Sequence, residues 1–317
     1  MVGHDPEELR KIPHYIYGLS GALSGFVTRF LTQPLDVCKI RFQLQVEPIK
    51  RTSLLSKYRS LPQACTLIVR EEGLAALWKG IIPGQALSAV YGLAEFATFE
   101  FLNKTLFAWN LTSNPKDPLV YFLCGSVAGM VGTVVSQPLD VVRTRLVSQG
   151  RDKVYTSLMD SFRQIKRQEG YRGFYRGLLP GLLQIAPSSG LSFAFYSQCQ
   201  ILYRKWSGKR ITESKSDAME SLFCGCIAGA ASKSIVHPLD VLKKRLQVQG
   251  FEQGRKGFGL FLFASGIVHL IRETYRLEGL HGFLKGFSPA LLKATSSTGF
   301  TFFFYEQFLR GFSQLLV

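Results

Sequence analysis

The sequence predicts an all-α membrane protein: six transmembrane helices in a pseudo-threefold bundle of three repeats, with short surface helices on one side. Three observations carry that expectation. The first is a charged motif present three times, as Pro34-Leu-Asp36-Val-Cys-Lys39-Ile-Arg41, Pro138-Leu-Asp140-Val-Val-Arg143-Thr-Arg145 and Pro238-Leu-Asp240-Val-Leu-Lys243-Lys-Arg245. The second is an element that follows each copy: Glu72-Gly73 with Lys79-Gly80, Glu169-Gly170 with Arg176-Gly177, and Glu278-Gly279 with Lys285-Gly286. The third is a pair of apolar stretches in every repeat. The motif returns after roughly a hundred residues, a period far too long for a solenoid, so each copy marks a domain-sized unit. The units run 13–109, 117–206 and 216–314.

In chain order, the stretch Tyr15–Gln33 carries one charge, Arg29, and Ile81–Phe99 carries one, Glu95. Leu119–Gln137 and Leu178–Tyr203 carry none, Ser221–His237 only Lys233, and Phe287–Tyr305 only Lys293. A bilayer span needs about 20 apolar residues, a length that all six approach. Gly21 and Gly25, Gly125 and Gly129, and Gly225 and Gly229 recur at helical spacing and let neighbouring backbones approach closely in lipid. Between the two stretches of each repeat lies an amphipathic segment: Tyr58–Arg70, Tyr155–Gln168 and about Phe263–Leu277. These segments read as short helices on a membrane surface. A soluble α protein is the rival reading, but it needs polar faces that the six stretches do not show.

Composition narrows the function. With 38 Lys+Arg against 22 Asp+Glu, a formal charge of +16 and 46% hydrophobic residues, the chain is basic and too apolar for a disordered segment. Its bases gather beside the amphipathic segments, as Lys57, Arg59 and Arg70 or Arg163, Lys166 and Arg167, where anionic lipid headgroups are the natural counter-charge. A basic soluble helical-repeat protein that binds nucleic acid is the alternative from another class. Dispersed bases without a stripe of aromatic platforms disfavour it. A membrane anchor without transport is a third reading. The six cysteines form no CxxC pair, which suits a reduced compartment. No phosphate-binding glycine loop, HExxH or GxSxG occurs, so neither an enzyme nor a resident metal or cofactor is expected.

A proline inside a helix removes a hydrogen bond and bends it, so Pro34, Pro138 and Pro238 turn three helix ends toward one axis. In each motif the acid and the first base lie three apart on one helix face. Each acid pairs within its helix or meets the next repeat: Asp36 with Arg143, Asp140 with Lys243, Asp240 with Lys39. Such a ring closes one mouth of a central cavity. Exposed pairs contribute about 0–1 kcal/mol each, so ligand binding can reverse the closure. Arg29 and Lys233 stand seven residues before Asp36 and Asp240, two turns away on the same stripe. Lys293 occupies in the sixth stretch the slot of Leu87 and Gln184 in the second and fourth. A base at a bilayer centre costs about 2.5–3.5 kcal/mol, so three of them call for an anion between them, a multiply charged phosphate compound. Snorkelling to a headgroup is the alternative for any one of them.

PLDVCKIR, PLDVVRTR and PLDVLKKR, each followed by its Glu-Gly element, resemble the mitochondrial carrier family over essentially the whole chain. The resemblance implies a monomer in the mitochondrial inner membrane that exchanges solutes by alternating access, both termini toward the intermembrane space, with cardiolipin among its lipids. It makes the charge ring a matrix gate, braced by Gln43 and Gln247, with Val147 in the third such place. It puts substrate contacts at Leu87, at Gln184 with Ile185, and at Lys293. The stretches GFVTRFLTQPLDVCKIRFQLQ, ASKSIVHPLDVLKKRLQVQGFE and SPALLKATSSTGFTFFFYE are most similar to members that exchange thiamine pyrophosphate; coenzyme A or deoxynucleotides are the alternative. On that reading Arg29, Lys233 and Lys293 hold the pyrophosphate, while Glu95, Gln184, Ser188, Ser192 and nearby rings face the cationic heterocycle. The family's opposite gate usually reads [FY][DE]xx[KR]. Here Phe99-Glu100 is followed by Asn103, Tyr196-Ser197 by Gln200 and Tyr305-Glu306 by Leu309, which implies a weak lock on that side.

Overall fold

The computed structural model describes residues 14–49, 56–108, 118–151, 153–206, 218–255 and 260–316; the repeat boundaries expected at 13, 109, 117 and 216 lie outside them. Regular structure among the described residues is helical. The first repeat forms α1 (His14–Leu44), α2 (Leu61–Glu72) and α3 (Ile81–Ala108). The second forms α4 (Pro118–Ser148), α5 (Leu158–Glu169), α6 (Leu178–Leu183) and α7 (Ile185–Trp206). The third forms α8 (Ala218–Gln247), α9 (Ile267–Glu278) and α10 (Phe287–Leu316).

The helices α1, α4 and α8 run on past their prolines, each of which removes one main-chain hydrogen bond. The residue before each proline ties the bend to its own repeat. Gln33 Nε2 donates to the Lys79 carbonyl (2.9 Å) and Gln137 Nε2 to that of Arg176 (2.8 Å), while His237 Nε2 lies 3.0 Å from the Lys285 carbonyl. The glycine that follows then meets the next repeat. A Cβ at Gly177 (φ +74°) would lie 2.7 Å from the Lys243 carbonyl oxygen, and one at Gly286 (φ +75°) 2.8 Å from that of Lys39. Only glycine satisfies both the left-handed backbone and that approach.

Two expectations shift. The fourth apolar stretch is not one helix: it breaks at Gln184, between α6 and α7. Pro187 has no N–H to give the Leu183 carbonyl, so the ladder is interrupted there. The surface helices α2, α5 and α9 start three or four residues later than the amphipathic pattern suggests. Tyr58 and Tyr155 are not helical but buried anchors ahead of the first turn. Pro62 then opens α2, and Ser157 caps α5 by accepting the Asp160 N–H at 3.1 Å. Each surface helix docks through a large, fully buried apolar side chain: Ile68 in the cluster of Val37 and Cys38, Ile165 with Val141 and Val142, Leu270 with Leu242. Burying such a side chain is worth about 1.5–3 kcal/mol.

The long helices close a ring. α3 lies along α4, α7 along α8, and α10 back along α1, while α1, α4 and α8 also touch one another. Among the described residues, two stretches are by length and composition apolar enough to cross a membrane, Val120–Ser148 and Tyr171–Trp206. That is fewer than the six expected, because the charges and the Ser, Thr, Gly and Pro of α1, α3, α8 and α10 dilute their apolarity.

Candidate functional site

Beyond their prolines α1, α4 and α8 converge, and the buried acids of the triple motif each meet a base of another repeat. Arg143 Nη2 lies 2.7 Å from Asp36, Lys243 Nζ 2.8 Å from Asp140, and Lys39 Nζ 2.7 Å from Asp240. Every acid also holds a second base. Lys293 Nζ is 2.8 Å from Asp36, Lys244 Nζ 2.8 Å from Asp140 and Lys233 Nζ 3.0 Å from Asp240. All three second bases come from the third repeat. Gln247 braces its acid, its Nε2 donating to Asp140 at 2.8 Å and its Oε1 accepting from Lys244 at 3.0 Å. Gln43 does not: its buried amide has no hydrogen-bond partner. Ile40 stands where the third repeat has Lys244, so no cation bridges Gln43 to an acid.

Over this floor opens a cavity of about 430 Å3, lined by the six gate residues with Leu87, Gln184, Ile185, Ser188, Lys233 and Lys293. Arg29 and Glu95 are not among its walls. The Arg29 guanidinium donates to the Gly84 carbonyl, beside Arg143, whose Nε would lie 3.1 Å from a Cβ on Gly84. Glu95 sits further along α3, accepting from the Tyr91 hydroxyl at 3.3 Å. Three acids thus face the six bases paired with them, and Arg29 is a seventh. A partly desolvated excess of positive charge is costly unless an anion joins it, and it concentrates anions in the cavity.

Below the gate lies a tier that the motif reading left without partners, formed by Arg41, Arg145 and Arg245. Arg41 donates to the Glu72 carboxylate (2.6 and 2.8 Å), to the Tyr58 hydroxyl (3.0 Å), and to the Val147 and Gln149 carbonyls of the next repeat (both 3.2 Å). Arg145 likewise joins Glu169 (3.0 Å) to the Gln247 and Gln249 carbonyls (both 3.0 Å). Arg245 joins Glu278 (2.5 and 2.9 Å) to the Gln43 carbonyl (3.0 Å), which closes the cycle. Burial works to raise the Glu72 carboxyl, but the hydrogen bonds and charge of Arg41 and Lys79 outweigh it and hold the group below its ordinary range. Burial pushes the neighbouring Tyr58 phenol up to about 12. A signal was available: both triple motifs carry charges of opposite sign that the gate does not consume.

At the other end of the helices, Glu100 pairs with Lys104 (2.7 Å) and Glu306 with Arg310 (3.7 Å), each within its own helix and exposed. Among the described residues no group of three His, Cys, Asp or Glu is placed to hold a metal ion.

The family model described as "Mitochondrial carrier protein" matches residues 10–108, 114–206 and 214–315. The chain is 42% identical to the mitochondrial thiamine pyrophosphate carrier of Homo sapiens, over 98% of this chain and 97% of the relative. The protein of that name in Bos taurus is also 42% identical, over 99% and 98%. To the mitochondrial thiamine diphosphate carrier 1 of Zea mays it is 35% identical, over 96% and 95%. Three tandem matches and relatives this similar across nearly the whole length show that the chain belongs to the mitochondrial carrier family.

Proposed function

We propose that this chain exchanges thiamine pyrophosphate across the mitochondrial inner membrane by alternating access. In this reading it works as a monomer with both termini toward the intermembrane space, and its six long helices span the bilayer as three repeats, 13–109, 117–206 and 216–314. Its work is translocation and not covalent chemistry, and it needs no resident cofactor. Exposed Leu93, Phe96, Phe101, Phe302 and Phe303 on α3 and α10 suit contact with acyl chains. The bases beside α2, α5 and α9 suit anionic headgroups such as cardiolipin.

One observation carries the reading: two of the three bases expected to hold a pyrophosphate, Lys293 and Lys233, also neutralise gate acids, whereas Arg29 donates to the Gly84 carbonyl. Lys293 is bound to Asp36 and Lys233 to Asp240. A polyanion descending to the floor competes for both. As it draws Lys293 and Lys233 away, Asp36 loses one of its two pairs across repeats and Asp240 keeps Lys39 alone, so closure on the matrix side weakens. A ligand shifts such an equilibrium by the difference in its affinity for the two states, which the displaced lysines supply. Leu87, Gln184, Ile185 and Ser188 complete the walls, and Gln43 and Gln247 stand beneath.

The test is uptake of labelled thiamine pyrophosphate into liposomes holding the purified protein and unlabelled substrate inside. Saturable exchange is expected, with coenzyme A and deoxynucleotides competing poorly. Lys293→Ala is expected to lower the rate at least about tenfold while the protein still purifies as a folded monomer. Preferential exchange of coenzyme A or a deoxynucleotide would reassign the substrate, and full activity of Lys293→Ala would remove that lysine from the site.

A further inference from the structure

We infer that a second compartment, formed by Glu95, Phe99, Tyr121, Phe122 and Ser126 above the cationic floor, receives a cationic aromatic ring and selects substrates by ring charge. The inference rests on the carrier reading above and deepens it.

The compartment encloses about 720 Å3 between α3, α4 and α7, and Ser189 lines both it and the floor cavity, so the two adjoin. Its chemistry is opposite to that of the floor. Glu95 is its charged side chain, no base lines it, and Glu95 makes no ion pair among the described residues. Phe99 and Tyr121 stack with centroids 6.0 Å apart and planes 29° apart. The Ser126 hydroxyl, in a residue 6% exposed, has no hydrogen-bond partner. A carboxylate without a counter-ion, aromatic faces and an unused hydroxyl are what an aromatic cation bearing a polar group requires.

Spacing sets the length of the ligand. Leu87, Tyr91 and Glu95 lie four apart on one face of α3, which puts Glu95 about 12 Å above Leu87 along the helix. Tyr91 stands between: it lines the floor cavity and donates to Glu95. α4 makes room for its ring with glycine, since a Cβ on Gly132 would lie 3.1 Å from the ring. A molecule with an ionised diphosphate at one end and a quaternary ring at the other spans both compartments. A phosphorylated molecule with a neutral ring gains the floor and forfeits Glu95, so the upper compartment rejects it by loss of a specific contact.

The test compares thiamine pyrophosphate with an analogue whose central ring is uncharged, and with inorganic pyrophosphate, as inhibitors of labelled thiamine pyrophosphate exchange in liposomes. In the unaltered chain the charged ring is expected to be preferred over the neutral one by about tenfold. Glu95→Gln is expected to reduce that ratio to within about twofold and Glu95→Asp to keep part of it, while inhibition by ringless pyrophosphate changes equally little in all three. Tyr121→Leu gives a second reading of the same ratio and should lower it too. A ratio that Glu95→Gln and Tyr121→Leu both leave intact overturns the inference and leaves the carrier reading standing. No thiamine pyrophosphate exchange by the unaltered chain, with exchange of another phosphate compound, overturns that reading as well.

Discussion

The two ends of the bundle use the same residue types in different ways. At the proline end every motif acid is buried and shared between repeats: Asp36, Asp140 and Asp240 each hold two bases, and the arginines below clamp one repeat onto the next. At the far end Glu100 and Glu306 are neutralised one turn away on their own helices, exposed to solvent. An exposed pair within one helix holds nothing together across the bundle. The shut end is therefore defined by where the partners come from. Within it the three repeats are unequal, since the third alone supplies Lys233, Lys244 and Lys293.

The largest effect is expected from breaking the lower tier. Arg245 is buried against Glu278, so Arg245→Ala leaves a carboxylate in the protein with Lys285 as its remaining base. Removing one partner of a buried pair costs about 3–5 kcal/mol, which thermal unfolding in detergent will show. Arg310→Ala, at the exposed end, should move the same transition by less than about 1 kcal/mol. Equal effects would dissolve the contrast between the ends.

Next in size is loss of charge at the gate itself. Asp36→Asn keeps an amide beside Arg143 and Lys293 but leaves the two cations facing each other without a carboxylate. Exchange in liposomes is expected to fall about tenfold or more. The matching change at the far end, Glu100→Gln, should alter it by less than about twofold, since that pair is largely exposed.

A smaller comparison separates the repeats. Gln247→Ala removes hydrogen bonds to Asp140, Lys244 and Thr144 and should destabilise by about 1–3 kcal/mol. Gln43→Ala removes an amide with no hydrogen bond and should cost clearly less. If both cost the same, Gln43 has a partner in the working protein and the two braces are equivalent.

The pairings Asp36–Arg143, Asp140–Lys243 and Asp240–Lys39 were legible because a triple motif with kinking prolines leaves few ways to arrange three acids and three bases. The family resemblance pointed to the wall positions Leu87, Gln184 and Lys293, and their equal distance from Gly80, Gly177 and Gly286 marks them as equivalent slots. What escaped needed knowledge of contacts between motifs. Arg41, Arg145 and Arg245 bind glutamates 31, 24 and 33 residues downstream and carbonyls about 100 or 200 residues away, a reach that no local spacing reveals. Lys244 carries no repeat signal, because Ile40 and Thr144 hold its place in the other repeats. Tyr58 and Tyr155 fitted the amphipathic period, yet their rings are anchors, and periodicity does not distinguish the two. Arg29 sits on the expected stripe, but its guanidinium turns to the Gly84 carbonyl on α3.

The smallest expected effect probes the open end, and the structure says where to place it. The sequence offered two sites for a restored base, Asn103 and Leu309. Leu309 is buried at 3% exposure, so a lysine there would first have to be desolvated, and its consequences would mix folding with gating. Asn103 is only half-buried and lies on α3 one turn from Glu100. A lysine at 103 costs little while this end is open. Once the end closes, it can meet the exposed carboxylate of Glu306 on α10. Such a pair is worth about 0–1 kcal/mol, so Asn103→Lys is expected to slow exchange by up to about fivefold by holding that side shut longer, with stability nearly unchanged. Faster exchange would show that closure at this end is already limiting and that the added pair hastens it; an unchanged rate would show that no carboxylate comes within reach of position 103 during the cycle.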